Sequence, residues 1–84
     1  MKHRFKCVPV KGTDSYAAYH NTRGVFVRQV SPGLWVGSYY IMGKQIQSEG
    51  VFKSRQRAVE VAFWHLGLAT NDAGLLELWK ADNG

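Results

Sequence analysis

Between Arg23 and Leu66 the chain carries three short runs in which apolar and polar residues alternate, followed by one run whose apolar residues recur at helical spacing. Alternation at period two sends successive side chains to opposite faces of a strand, whereas spacings of three and four gather them on one side of a helix. Strands are therefore predicted over residues 25–30, 34–41 and 45–52, punctuated by Ser31-Pro32-Gly33 and Met42-Gly43-Lys44. Connections this short join antiparallel neighbours, so the three runs form a meander.

Ser54 stands where its hydroxyl can accept from the free amides two and three residues on, the position of an N-cap. A helix follows over residues 55–66, with Gly67 as its C-terminal stop. Ala58, Val59, Ala62, Phe63 and Leu66 form the stripe that lies on the sheet, and Val61, Trp64 and Leu68 form a second stripe that needs a second partner. The tail supplies one: Thr70 or Asn71 caps a short helix over residues 72–81, with Leu75, Leu76, Leu78 and Trp79 on its apolar face. On the middle strand Trp35, Gly37, Tyr39 and Ile41 alternate with Val36, Ser38 and Tyr40. Gly37 lets a helix approach closely through Ala58 and Ala62, which assigns the Trp35 side to the core and turns Val36, Ser38 and Tyr40 outward.

Upstream, residues 4–10 and 15–20 form a hairpin around the turn Lys11-Gly12-Thr13-Asp14. Pro9 lacks a ladder donor, which makes the first of these an edge strand or one that breaks there. The whole chain of 84 residues is read as one α+β domain: an antiparallel sheet of four to five strands packed on one helix, with a short C-terminal helix. A domain of this size buries only roughly 60–65% of its unfolded surface, so its core is small. A single cysteine, Cys7, leaves no intrachain disulfide and reads as a small apolar residue. The basic start of the chain is followed by too few apolar residues for a signal peptide, and no run approaches the roughly 20 apolar residues of a membrane span. A cytoplasmic protein without membrane contact, monomer or homodimer, is the expectation.

Arg23-Gly24-Val25, Trp35 on the next strand, Gly43-Lys44 in the turn, Gly50-Val51-Phe52-Lys53-Ser54 before the helix, and Ala58 with Ala62 within it follow an order that resembles the DNA-binding domains of plant ethylene-response factors and the arm-type domains of phage integrases. The resemblance spans about half the chain and implies three antiparallel strands on one helix, with the sheet reading bases in the major groove. It places Arg23 at the family's Arg before Gly-Val and Arg28 near a second family Arg. The family's outward Glu and Arg on the middle strand are here Ser38 and Tyr40, and its outward Arg and Trp on the third strand fall in the region of residues 46–48. The fold carries over under this resemblance; the base-reading side chains do not.

Eleven Lys and Arg against six Asp and Glu give a formal charge of +5 and a pI near 9.7, which favours polyanionic partners. Lys53, Arg55 and Arg57 cluster at the start of the helix, where cations oppose the macrodipole and an anion would use both the free amides and the side chains. The plainer reading is a solvated, solubilising cluster. Lys2, Arg4 and Lys6 suit salt-dependent contacts with phosphates, or the guarding of an edge strand against unwanted pairing. Tyr16, Tyr19, Phe26 and Tyr40 offer either stacking surfaces for unpaired bases or ordinary cross-strand pairs. Trp64 and Trp79 are either anchors for a protein partner or a pair that packs together where the tail returns.

For catalysis or metal binding the chain offers little. His3, His20 and His65 are far apart, no His-x-x-x-His or Cys-x-x-Cys spacing occurs, and His3 and Cys7 stand roughly 13 Å apart on an extended strand. The glycines fall at turns and packing points rather than in a phosphate loop. The expectation is a non-enzymatic binding module without metal or cofactor. It engages nucleic acid or another polyanion through Arg23, Arg28, Tyr40, Lys53, Arg55, Arg57, Lys2 and Arg4, or alternatively a larger protein through the sheet edge or Trp64 and Trp79.

Overall fold

The computed structural model describes residues 5–20, 22–48 and 50–83, with side chains described as far as Leu78. Lys2 and Arg4 lie outside the described residues, as does the side chain of Trp79. Strands β1 (Cys7–Pro9), β2 (Ser15–His20), β3 (Arg23–Ser31), β4 (Leu34–Ile41) and β5 (Lys44–Gln47) make one antiparallel sheet in chain order, followed by helices α1 (Arg55–Thr70) and α2 (Ala73–Asn83). This is the expected α+β class, with five strands.

Local chemistry accounts for most strand limits. β1 is an edge strand that ends at Pro9, which has no amide to give the ladder. Between β4 and β5 only Met42 and Gly43 intervene, both at positive φ (51° and 81°), the two-residue turn whose twist suits a hairpin. Between β3 and β4 the register passes from Gln29↔Trp35 to Ser31↔Leu34, so Val30 is an extra residue that bends β3.

The strand expected over residues 45–52 stops at Gln47. Gln47 lies opposite Ser38, yet Phe52, not Gly50, lies opposite Trp35, so two extra residues loop out between them. Ser48 anchors the departure: it is buried, and both its amide and its hydroxyl donate to Gly37 O, at 2.9 and 3.0 Å. Gly50, at φ +100°, then turns the chain back toward Phe52, whose backbone exchanges two hydrogen bonds with Trp35.

Helix α1 lies on one face of the sheet, where Ala58, Val59, Ala62, Phe63 and Leu66 meet Val25, Val27 and Tyr39 in a single buried cluster. Gly37 is the point of closest approach. A Cβ there would stand 2.9 Å from the Ala62 Cβ and 3.0 Å from the Ala58 carbonyl oxygen, so only glycine admits the helix at this height. Phe5 closes the cluster from the N-terminal side, its ring 4.8 Å from that of Phe63. The Gln56 side chain clamps the Phe5 backbone, accepting from its amide at 2.9 Å and donating to its carbonyl at 2.6 Å.

The C-terminal half corrects two expectations. Gly67 does not end α1; the helix continues to Thr70. Gly67 faces α2 instead, where a Cβ would come within 3.0 Å of the Leu75 Cβ, so its smallness serves helix packing rather than termination. Termination falls to Asn71, in the left-handed region at φ 54°, whose amide reaches the carbonyls of Gly67 and Leu68. The cap of α2 is neither Thr70 nor Asn71 but Asp72, whose Oδ1 accepts from the amides of Gly74 and Leu75 at 3.0 and 3.3 Å. Thr70 turns back, donating its hydroxyl to Leu66 O at 2.7 Å. No helix among the described residues is long and apolar enough to cross a membrane.

Candidate nucleic-acid interface

Strand alternation divides the sheet into a side covered by α1 and a side over which no helix lies among the described residues. Cross-strand register builds the open side in rows. Ala17, Phe26, Ser38 and Gln47 form one row; Ser15, Arg28 and Val36 form the next; Tyr40 stands opposite Gln45, and Tyr19 opposite Gly24. Val36 and Ala17 face this side but are buried, and each pairs across the strands with a larger residue, Arg28 and Phe26. The result is a shallow depression of about 480 Å³ with an apolar floor and a polar flank.

Three rings stand on this side. Tyr19 is 62% exposed and Tyr40 52% exposed, while Phe26 meets Tyr40 edge-to-face at 5.7 Å and 88°. Two carbons of the Tyr19 ring come within 2.9 Å of where a Gly24 Cβ would stand, so the ring is seated on glycine backbone. The polar flank is made of Ser38, whose hydroxyl accepts from Gln45 Nε2 at 3.2 Å, and the neighbouring exposed Gln47. Among the described residues Arg28 is exposed and has no acidic partner. No Asp or Glu occurs anywhere between Asp14 and Glu49, a span that contains β2 through β5.

Three other arginines expected at the site, Arg23, Arg55 and Arg57, are engaged elsewhere. Arg23 lies on the helix side, where its Nε donates to Asp72 Oδ2 at 3.1 Å and ties the start of β3 to the start of α2. Partial burial raises the Asp72 carboxyl, but the Arg23 hydrogen bond, the amides of Leu75 and Gly74 and the Arg23 charge outweigh it, holding it below its ordinary range. The guanidinium of Arg55 sits 4.4 Å from the ring centroid of Tyr16 and 5.8 Å from that of Trp35, a cation–π contact against two rings that themselves meet edge-to-face. Arg57 donates to Glu60 Oε2 at 3.0 Å, and that carboxylate is only 6% exposed. Ser54 caps α1 as expected, accepting from the Arg57 amide at 2.9 Å.

Arg28 and Tyr40 are thus brought together on the open side, and Arg23, Arg55 and Arg57 are not. Lys53 is exposed just ahead of α1, on the helix layer. Trp64 is half-buried with its ring 5.1 Å from that of His65. Tyr16 points to the helix side, so of the four aromatics considered for stacking, Tyr19, Phe26 and Tyr40 share the open face. Gln45 and Gln47 were not singled out by sequence; the signal for them is their alternation with Ile46 in a run next to a turn. The seating of Tyr19 on Gly24 has no signal within either strand, because it depends on register between them.

Among the described residues no three His, Cys, Asp or Glu side chains stand together as a metal site. Compared with protein-family models, with curated proteins and with solved structures, the chain matches none of them.

Proposed function

We propose that this chain is a non-enzymatic nucleic-acid-binding module that works through the open face of its sheet. The observation that carries the reading is the composition of that face: Tyr19, Phe26 and Tyr40 beside Arg28, in a span from β2 to β5 that holds no acidic residue. A polyanion approaching this face meets Arg28 and exposed rings, on strands that carry no repelling carboxylate. The resemblance of residues 23–66 to the DNA-binding domains of ethylene-response factors and the integrase arm domains is a further ground for the reading. Base reading of that family's kind is not part of the proposal, since Ser38 and Tyr40 stand where the family carries charged side chains.

Fluorescence anisotropy with labelled oligonucleotides across a salt series tests the reading. Saturable binding that weakens with salt is expected, and Arg28→Gln should flatten the slope of log K against log salt by roughly 0.7 to 0.9 if Arg28 contacts one phosphate. Absence of binding at low salt would refute it. One observation favours the second reading, a docking module for a larger protein: β5 is a free edge on which all of Lys44–Gln47 is exposed, Ile46 included. Such docking would leave affinity nearly independent of salt.

A further inference from the structure

Resting on the nucleic-acid reading above, we infer that the open face takes unpaired bases, stacked on Tyr19, Phe26 and Tyr40, in preference to duplex. The balance of groups on that face carries the inference. Among the described residues it presents three aromatic rings, two of them more than half exposed, and within its paired strand rows one cation, Arg28.

In a duplex the flat faces of the bases are buried against one another, and a protein meets only phosphates and base edges. A face built for duplex therefore needs cations spread along it to follow two backbones, and rings on such a face would have nothing to stack on. A single strand exposes its base faces, and an exposed ring is then the group that contributes most, independently of sequence. Three arginines that might have widened the electrostatic footprint are committed on the other layer: Arg23 to Asp72, Arg55 to Tyr16 and Trp35, Arg57 to Glu60.

The geometry suits this occupant in two further respects. The depression beside Phe26 and Tyr40, about 480 Å³, has the buried Val36 at its base and amide and hydroxyl groups of Gln45, Gln47 and Ser38 along one flank. Each amide offers both donors and an acceptor, as the edge of an unpaired base requires. Arg28, in the row next to Phe26, is placed for the phosphate that links two stacked nucleotides. DNA and RNA strands share this chemistry, and the inference concerns unpaired bases on a phosphodiester backbone.

The test compares four labelled probes of about twelve nucleotides: mixed-sequence single-stranded DNA, the same sequence as RNA, the DNA as duplex, and an abasic strand with the same phosphates. At least one of the base-bearing single strands should bind roughly tenfold or more tightly than both the duplex and the abasic strand. Tyr40→Ala should weaken single-strand binding by roughly 5- to 150-fold, the loss of one base–ring stack, while Tyr40→Phe stays close to the parent. Circular dichroism establishes that each variant is folded, and the abasic comparison needs no variant at all. Equal binding of duplex, or of the abasic strand, overturns the inference while leaving a nucleic-acid-binding module standing. No binding of any probe at low salt overturns both.

Discussion

On the helix side of the sheet, arginines are part of the fold: Arg23 is held by Asp72, Arg55 lies against Tyr16 and Trp35, and Arg57 is paired with the buried Glu60. On the open side Arg28 stands exposed in the row beside Phe26, and the rings of Tyr19 and Tyr40 are more than half in water. The same alternating strands produce both faces. The difference shows why a net charge of +5 is a poor guide to a binding surface: charge that a structure has already paired is not available to a partner, and the few groups left over decide where a partner sits.

If the helix side is where stability resides, truncating it should cost far more than truncating the open side. Phe63→Ala, at the centre of the contact with Phe5, should lower unfolding free energy by about 3–5 kcal/mol, read by urea denaturation. That is a large part of the stability of a chain this small. Gly37→Val should cost about 1–3 kcal/mol, because the new side chain meets the Ala62 Cβ and the Ala58 carbonyl, neither of which can swing away. Tyr40→Ala removes only a half-exposed ring and its edge contact with Phe26, so a loss of about 1 kcal/mol or less is expected in the same assay. A Tyr40→Ala variant as unstable as Phe63→Ala would erase the contrast between the faces.

Two smaller effects sharpen it. Asp72 titrates lower in the folded chain than unfolded, so its charged form contributes stability above about pH 4 and loses that contribution as pH falls toward the lower folded value. A Tm series should show this acid limb, and Asp72→Asn should reduce it. Met42 sits at φ 51° at the tip of the β4–β5 hairpin with its side chain in water. Met42→Asn places a residue that accepts this conformation ahead of Gly43 and should raise stability by a few tenths of a kcal/mol, read as a small rise in Tm.

Much of the fold was legible because it rests on periodicity and local chemistry. The alternation of Trp35 to Ile41, the helical stripe from Ala58 to Leu66, the Ser54 cap and the edge position of β1 all follow from neighbouring residues. Gly37 as the point of contact with Ala58 and Ala62 was also legible, since a lone glycine within a strong strand has few other uses. Gly67 misled for a related reason. A glycine late in a helix reads as a stop, and only the presence of Leu75 opposite it turns its missing side chain into a packing surface. The limits of β5 were likewise hidden, because the chain loops out after Ser48 bonds Gly37 and rejoins the sheet only where Phe52 meets Trp35, contacts made between strands and not within one.

The candidate site divides in the same way. Arg28 and Tyr40 fall on one face by alternation, a property each strand carries within itself. The fates of Arg23, Arg55 and Arg57 depended on Asp72, Tyr16, Trp35 and Glu60, of which only Glu60 lies within a helical turn of its partner. Period and capping are written into adjacent residues, so they set which elements form and which way their side chains alternate. Register between strands, the return of α2 onto Gly67 and the pairing of Arg23 and Arg55 with residues on other elements join different elements of the fold, and these contacts settled which cations are committed to the fold and which ring rests on which glycine.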